Sequence, residues 1–194
     1  LMNRQNIFVV VSLLLLVLPS LARGQAGVTK IGPVTISAKG GGELSGNQLL
    51  LRGGVQMTSP DYDLNADHIA ITFQQPGKKG SSPAKKGSGQ AIAGATAEGN
   101  PAKGTQVTGR FTQVALARTY NLKGDHAVYT PDASRPSGGQ IDFTGHVLVT
   151  LIAPNALDGP FTMNTDHATV YLGKGVKYPS VEFGPATATF TPLQ

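Results

Sequence analysis

The chain has 194 residues, no cysteine, 14% charged residues and a formal net charge of +5. Without cysteine it carries neither a disulfide framework nor a site for N-terminal lipidation, so stability must come from strand pairing and apolar burial. The positive excess is modest and much of it sits in one loop, which suits an anionic partner and gives no reason to expect nucleic acid.

Residues 1–26 read as a signal peptide. Asn3-Arg4-Gln5-Asn6 is a short, singly positive lead, and Ile7 to Leu18 is almost wholly apolar. Pro19-Ser20 then breaks the run ahead of the small residues Ala22, Gly24 and Ala26. That layout predicts a helical export signal cut after one of those three positions. The apolar run is about a dozen residues, against about 20 for a spanning helix. Retention as an inner-membrane anchor is the alternative if the segment is not cut. Residues 27–194 are expected to form a single domain large enough for its own core.

Beyond residue 26 the apolar period is two, bounded by Gly, Pro, Asn and Asp, which predicts short strands. Val34 to Ala38 alternates and breaks on Gly40-Gly41-Gly42. Gln48 to Arg52 is a second strand, and Gly53-Gly54 admits a kink or bulge before Val55-Gln56-Met57-Thr58. Ser59-Pro60-Asp61 is a turn, since Pro fixes φ and Asp bonds its own backbone. Asp67 to Phe73 returns with Ile69, Ile71 and Phe73 on one face. From Leu64 to Asp67 the apolar parity changes, which predicts a bulge.

Residues 74–90 have no apolar side chain larger than Ala and are rich in Lys, Gly and Ser. They are expected to be a flexible basic loop inserted in the domain. Its lysines either touch phosphate or are simply solvated. Strands resume over Ala91 to Glu98 and Gln106 to Arg118, where Phe111, Val114 and Leu116 are the large apolar positions. Val147, Val149 and Leu151 share a face, and strands at Val181–Phe183 and Ala186–Phe190 close the domain. Many short strands with frequent turns predict an all-β sandwich, jelly roll or open barrel.

One phrase occurs three times: YDLNADHIAITF from Tyr62, YNLKGDHAVYT from Tyr120 and FTMNTDHATVYL from Phe161. Each has an aromatic, then Leu or Met, then Asp-His. Two copies share an upstream strand, Arg52-Gly53-Gly54-Val55-Gln56-Met57-Thr58 and Thr144-Gly145-His146-Val147-Leu148-Val149-Thr150. Repeats of this kind define the structural unit. Gly-x-Val-x-apolar-Thr, a turn, and aromatic-x-Leu-x-Ala-Asp resembles the strand phrase of the OstA-like family, which includes lipopolysaccharide-transport proteins of the LptA and LptC type. The likeness is best over 49–73 and 142–172.

The resemblance implies an antiparallel β-jelly roll of repeated strand pairs, with an apolar groove that shields the acyl chains of lipopolysaccharide or a related envelope glycolipid. It further implies a periplasmic location, transfer toward the outer membrane, and head-to-tail stacking, on itself or on other OstA-like proteins, through edge strands. Alternation assigns the groove lining to Val55, Met57, Ile69, Ile71 and Phe73 in the first unit. In the third unit it assigns Val147, Val149, Leu151, Val170 and Leu172. Leu64, Leu122 and Met163 hold equivalent places ahead of each Asp-His pair. The alternative is a structural or adhesive envelope protein whose same residues fill a closed core. A carbohydrate-binding module is disfavoured by the lack of Trp.

Asp67-His68, Asp125-His126 and Asp166-His167 offer metal-ligand types. Repeat-related residues, however, fall on successive strands about 4.8 Å apart, and each His has the parity opposite to the apolar stripe. They are expected to point outward from the strand starts and to hold no metal. No Gly-x-Ser-x-Gly, HExxH, P-loop or GxGxxG pattern occurs, so neither an enzyme nor a cofactor is expected.

Overall fold

Repeated alternation becomes thirteen antiparallel strands in the computed structural model, which describes residues 27–31, 34–74, 91–132, 138–174 and 177–189. The signal segment, and all of the basic stretch but Gln74, lie outside the described residues. In chain order the strands are β1 (Gly27–Ile31), β2 (Val34–Ala38), β3 (Gly42–Ser45), β4 (Gln48–Thr58), β5 (Tyr62–Phe73), β6 (Ile92–Glu98) and β7 (Val107–Gln113). They continue with β8 (Arg118–Gly124), β9 (His126–Pro131), β10 (Gly139–Ile152), β11 (Phe161–Leu172), β12 (Ser180–Phe183) and β13 (Ala186–Thr189).

Four long strands of the one sheet, β4, β5, β10 and β11, change neighbours part-way along their length. Their halves away from the chain's Asp-His positions pair with different neighbours, so the ladder divides into two arms. In the first arm the order is β2, the end of β4, the start of β5, β7, β8, the end of β10, the start of β11 and β13. In the second arm it is β3, the start of β4, the end of β5, β6, β9, the start of β10, the end of β11 and β12.

The crease between the arms explains the repeated phrase. In β5 the buried residues are Leu64 and Ala66, then Ile69 and Ile71; Asp67 and His68 both stay out of the core. Leu122, then Ala127, bracket Asp125-His126 in the same way, and Thr165, then Ala168, bracket Asp166-His167. Two successive outward residues shift the parity of the strand as it passes from one arm to the other. Asp-His therefore lies within the run of the chain at the crease. In the first and third copies it does not start the strand as expected, because pairing already begins at Tyr62 and Phe161; in the second copy β9 does begin at His126.

The partner strands supply the extra length. Gly53 and Gly54 of β4 oppose Asp67 alone, and Gly145 and His146 of β10 oppose Asp166 alone. These are β-bulges, which bend a strand and increase its twist. Gly53, Gly54 and Gly145 have φ of 76°, 79° and 75°, a region in which a Cβ is strained. The glycine pair was thus legible as a kink.

One strand expectation needs correcting. The stretch from Gln106 to Arg118 is not continuous: Val114–Leu116 forms a 3-10 turn, closed by Ala117 at φ 51°. Val114 is 79% exposed and Leu116 43%. A hairpin reversal breaks the alternation, so side chains at the turn have no inward face to occupy.

Candidate functional site: an apolar cavity between the arms

The inward rows of the two arms face each other. Across the first arm, one row runs Ile36, Met57, Leu64, Gly109, Leu122, Val149 and Met163 in continuous register. Across the second arm, the facing row runs Leu51, Ile69, Ala97, Ala127, Phe143 and Ala168. Except for glycines these residues are buried apolar side chains, each worth up to about 1.5–3 kcal/mol for the larger ones.

Aromatic rings divide this interior. Phe111 of the first arm meets Phe143 of the second edge-to-face at 6.1 Å, and Tyr62 stacks on Phe111 at 6.0 Å. Phe111 and Phe143 are both fully buried. Gly109 makes room for them: a Cβ there would lie 2.5 Å from the Phe111 ring and 2.8 Å from the Phe143 ring. On β10 and β11, Val147, Val149, Val170 and Leu172 are buried in the core.

Elsewhere the packing is incomplete. A cavity of about 80 Å³ is lined from the first arm by Val34, Met57, Tyr62 and Leu64. Its second-arm wall is Ile69, Ile92, Ala95, Ala97, Ala127, Tyr129 and Ile141. Three alanines on the adjacent strands β6 and β9 are the physical reason for the space. Their methyl groups end well short of the facing Met57 and Leu64, whereas Phe143 on the next strand reaches across.

The thirteen residues assigned to a groove from the sequence divide along the same line. Met57, Leu64 and Ile69 line the cavity. Val55, Ile71, Leu122, Val147, Val149, Met163, Val170 and Leu172 are buried in the packed core. Phe73 packs against that core while partly exposed, and Leu151 is half-buried near the end of β10. The sequence reading did not select Tyr62, Tyr129 or the alanines. Tyr62 opens the first repeat and so was visible as a repeated aromatic. Alanine is too small to mark a stripe, although a gap in a core is made by small residues.

The electrostatics differ inside and outside. Inside, burial pushes the Tyr62 phenol up to about 12, with additional effects from the Tyr129 phenol and the Asp61 carboxylate. Burial also raises Tyr129. Outside, the crease is polar and well bonded. Asp67 accepts from His68 Nδ1 at 2.9 Å, and from Asn100 Nδ2 and Lys103 Nζ at 3.4 Å each. Desolvation alone would raise its carboxyl, but these donors hold it below the usual carboxylate range.

Asp125 accepts from His146 Nδ1 at 2.7 Å and Gln106 Nε2 at 3.1 Å, which lower its pKa in turn. Its backbone N–H donates to the carbonyls of Thr144 and Gly145. His146 itself has φ 49°, a conformation that persists only where the surroundings hold it, as this bond does. Among the described residues no three His, Asp or Glu side chains converge as metal ligands. His126 and His167 are exposed and His68 is partly so. Asp67 and Asp125 thus tie the crease to neighbouring segments, while Asp166 and His167 are exposed.

An antiparallel roll folded along such a crease, with bulged long strands shared by two arms, is the LptA-like β-jelly roll. The chain superposes on the crystal structure of LptH from Pseudomonas aeruginosa, described as the LptA-homologous periplasmic component of the conserved lipopolysaccharide transport device. The TM-score is 0.53 and the identity 11%, over 82% of this chain and 96% of that one. At this identity the likeness establishes the fold. No protein-family model matches the sequence, and no curated protein matches it in sequence.

Proposed function

We propose that this is an exported envelope protein that takes an acyl chain of lipopolysaccharide, or of a related glycolipid, between its two arms and passes it toward the outer membrane. The observation that carries the reading is the unfilled apolar cavity walled by both arms of an LptA-like roll. An acyl chain is stabilised by about 0.8 kcal/mol for each methylene it buries, and the cavity walls are almost wholly hydrocarbon. The description of LptH and the signal-peptide layout of residues 7–26 support a periplasmic location. The activity proposed is binding and transfer without bond chemistry, in keeping with the transport device named for LptH.

The cavity is small beside the about 300–1,000 Å³ of typical ligand sites. Loading therefore requires the arms to part along their outer rims while the crease holds. The bulges at Gly53-Gly54 and Gly145-His146, the second tied by Asp125, form the hinge line in this scheme. Stacking on a second OstA-like molecule is supported by the sheet edges. Among the described strands, β1 and β3 flank one side of the two arms, β12 and β13 the other, each with a single paired neighbour. Such edges accept further strands.

The test is displacement of a fluorescent lipid A analogue from the purified protein by unlabelled lipopolysaccharide and by long-chain fatty acid. Saturable displacement by both is the expected result. Its absence with either competitor sinks the transport reading and leaves a closed-core structural protein of the envelope.

A further inference from the structure

Nine of the eleven residues around the cavity have neither oxygen nor nitrogen in their side chains; the exceptions are Tyr62 and Tyr129. They come from opposite arms, Tyr62 from β5 and Tyr129 from β9. Each stands two residues farther from the crease than an inward neighbour that also lines the cavity, Leu64 in one arm and Ala127 in the other. In a strand that step is about 7 Å. The cavity is therefore graded, with hydrocarbon alone toward the crease and two phenols toward the rims.

We infer that Tyr62 and Tyr129 form a polar clasp that selects acyl chains carrying an oxygen function, a hydroxyl or ester, over plain hydrocarbon chains. This rests on the acyl-binding reading above and adds a specificity to it. A phenol offers both a donor and an acceptor, so either tyrosine pairs with a hydroxyl and either donates to an ester carbonyl. In so apolar a lining, an oxygen placed at the phenols is bonded, while one placed nearer the crease is left unsatisfied and penalised. The clasp thereby sets how deep the chain sits as well as which chain is held. Burial raises both phenols, Tyr62 to about 12, so both stay protonated and able to donate across the physiological range.

The experiment uses stearate, 3-hydroxystearate and 12-hydroxystearate as competitors against a fluorescent fatty acid. It compares the wild type with Tyr62→Phe, Tyr129→Phe and the double variant, after thermal melts show that each is folded. Against the wild type, at least one hydroxylated acid binds about five- to tenfold more tightly than stearate, the worth of one net hydrogen bond. In the double variant that ratio falls to about one. Equal binding of all three acids to the wild type, or a hydroxyl preference that survives in the double variant, overturns the clasp alone. Binding of none of the acids overturns it together with the acyl-binding reading.

Discussion

Ala97→Leu separates a cavity kept for a ligand from a mere packing fault. Ala97 is 3% exposed, lies on the inward row of β6 and lines the cavity. The unfilled volume is about 80 Å³, and residual cavity volume costs about 24 cal/mol per Å³, so the space forfeits about 2 kcal/mol of stability. Three added carbons occupy most of it. Strain against Met57 and Leu64 offsets part of the gain, since overpacking costs about 1–3 kcal/mol. The net expectation is a stability within about 1 kcal/mol of the wild type, or within about 2–4 °C in melting temperature for a domain of this size. Lipid affinity should fall at least tenfold, because the leucine stands where the chain would. Thermal melts and the fluorescent lipid displacement assay read the two effects on the same samples. A variant that is destabilised by several kcal/mol and binds lipid as well as the wild type would refute the reasoning on both counts.

Other outcomes follow from the crease. Gly53→Ala should lose about 1–3 kcal/mol in urea denaturation, because Gly53 has φ 76° and a Cβ would lie 2.8 Å from the Gly40 backbone; an unchanged midpoint contradicts the bulge's role. The Asp125–His146 pair predicts a pH window. The Asp125 carboxyl is held below its ordinary 3.8, so its contribution is present above that value and is lost as pH falls through the folded pKa. His146 is raised above 6.5 by the bond it donates to Asp125, so its contribution is full below 6.5 and fades as pH rises through the folded pKa. The urea midpoint difference between wild type and His146→Ala should therefore be larger at pH 5.5 than at pH 8.5; a difference that does not change with pH counts against the pair.

The strand phrases, the glycine bulge and the parity switch between Leu64 and Asp67 were legible because alternation and φ requirements are local. The meaning of Asp-His was not. A parity switch has the same signature whether a strand is starting or being handed from one arm to the other, and only the pairing of Tyr62 with Phe111 and of Phe161 with Leu151 decides between them in the first and third copies. The exposure of Val114 and Leu116 escaped for a related reason, since the hairpin reversal depends on Ala117 taking a left-handed conformation that nothing in its side chain requires. The site was legible in part. Met57, Leu64 and Ile69 were found by their stripe, but the same stripe continues into residues such as Val149 and Val170 that only fill the core. What distinguishes the two regions is the far wall, alanine in one and phenylalanine in the other. That contrast lies between strands more than forty residues apart in the chain for Ala97 and Phe143, beyond the reach of any periodicity.

Photo-crosslinking tests the acyl-binding claim most directly. A crosslinking side chain replaces Met57, which lines the cavity, Val149, which lies in the filled core, or Asn65, which is exposed on β5 next to Leu64. Irradiated with lipopolysaccharide, the protein should be captured by lipid from position 57 and not from position 65, with position 149 weak or silent. Capture from position 65 equal to that from position 57, or from neither, would show that lipid does not enter between the arms.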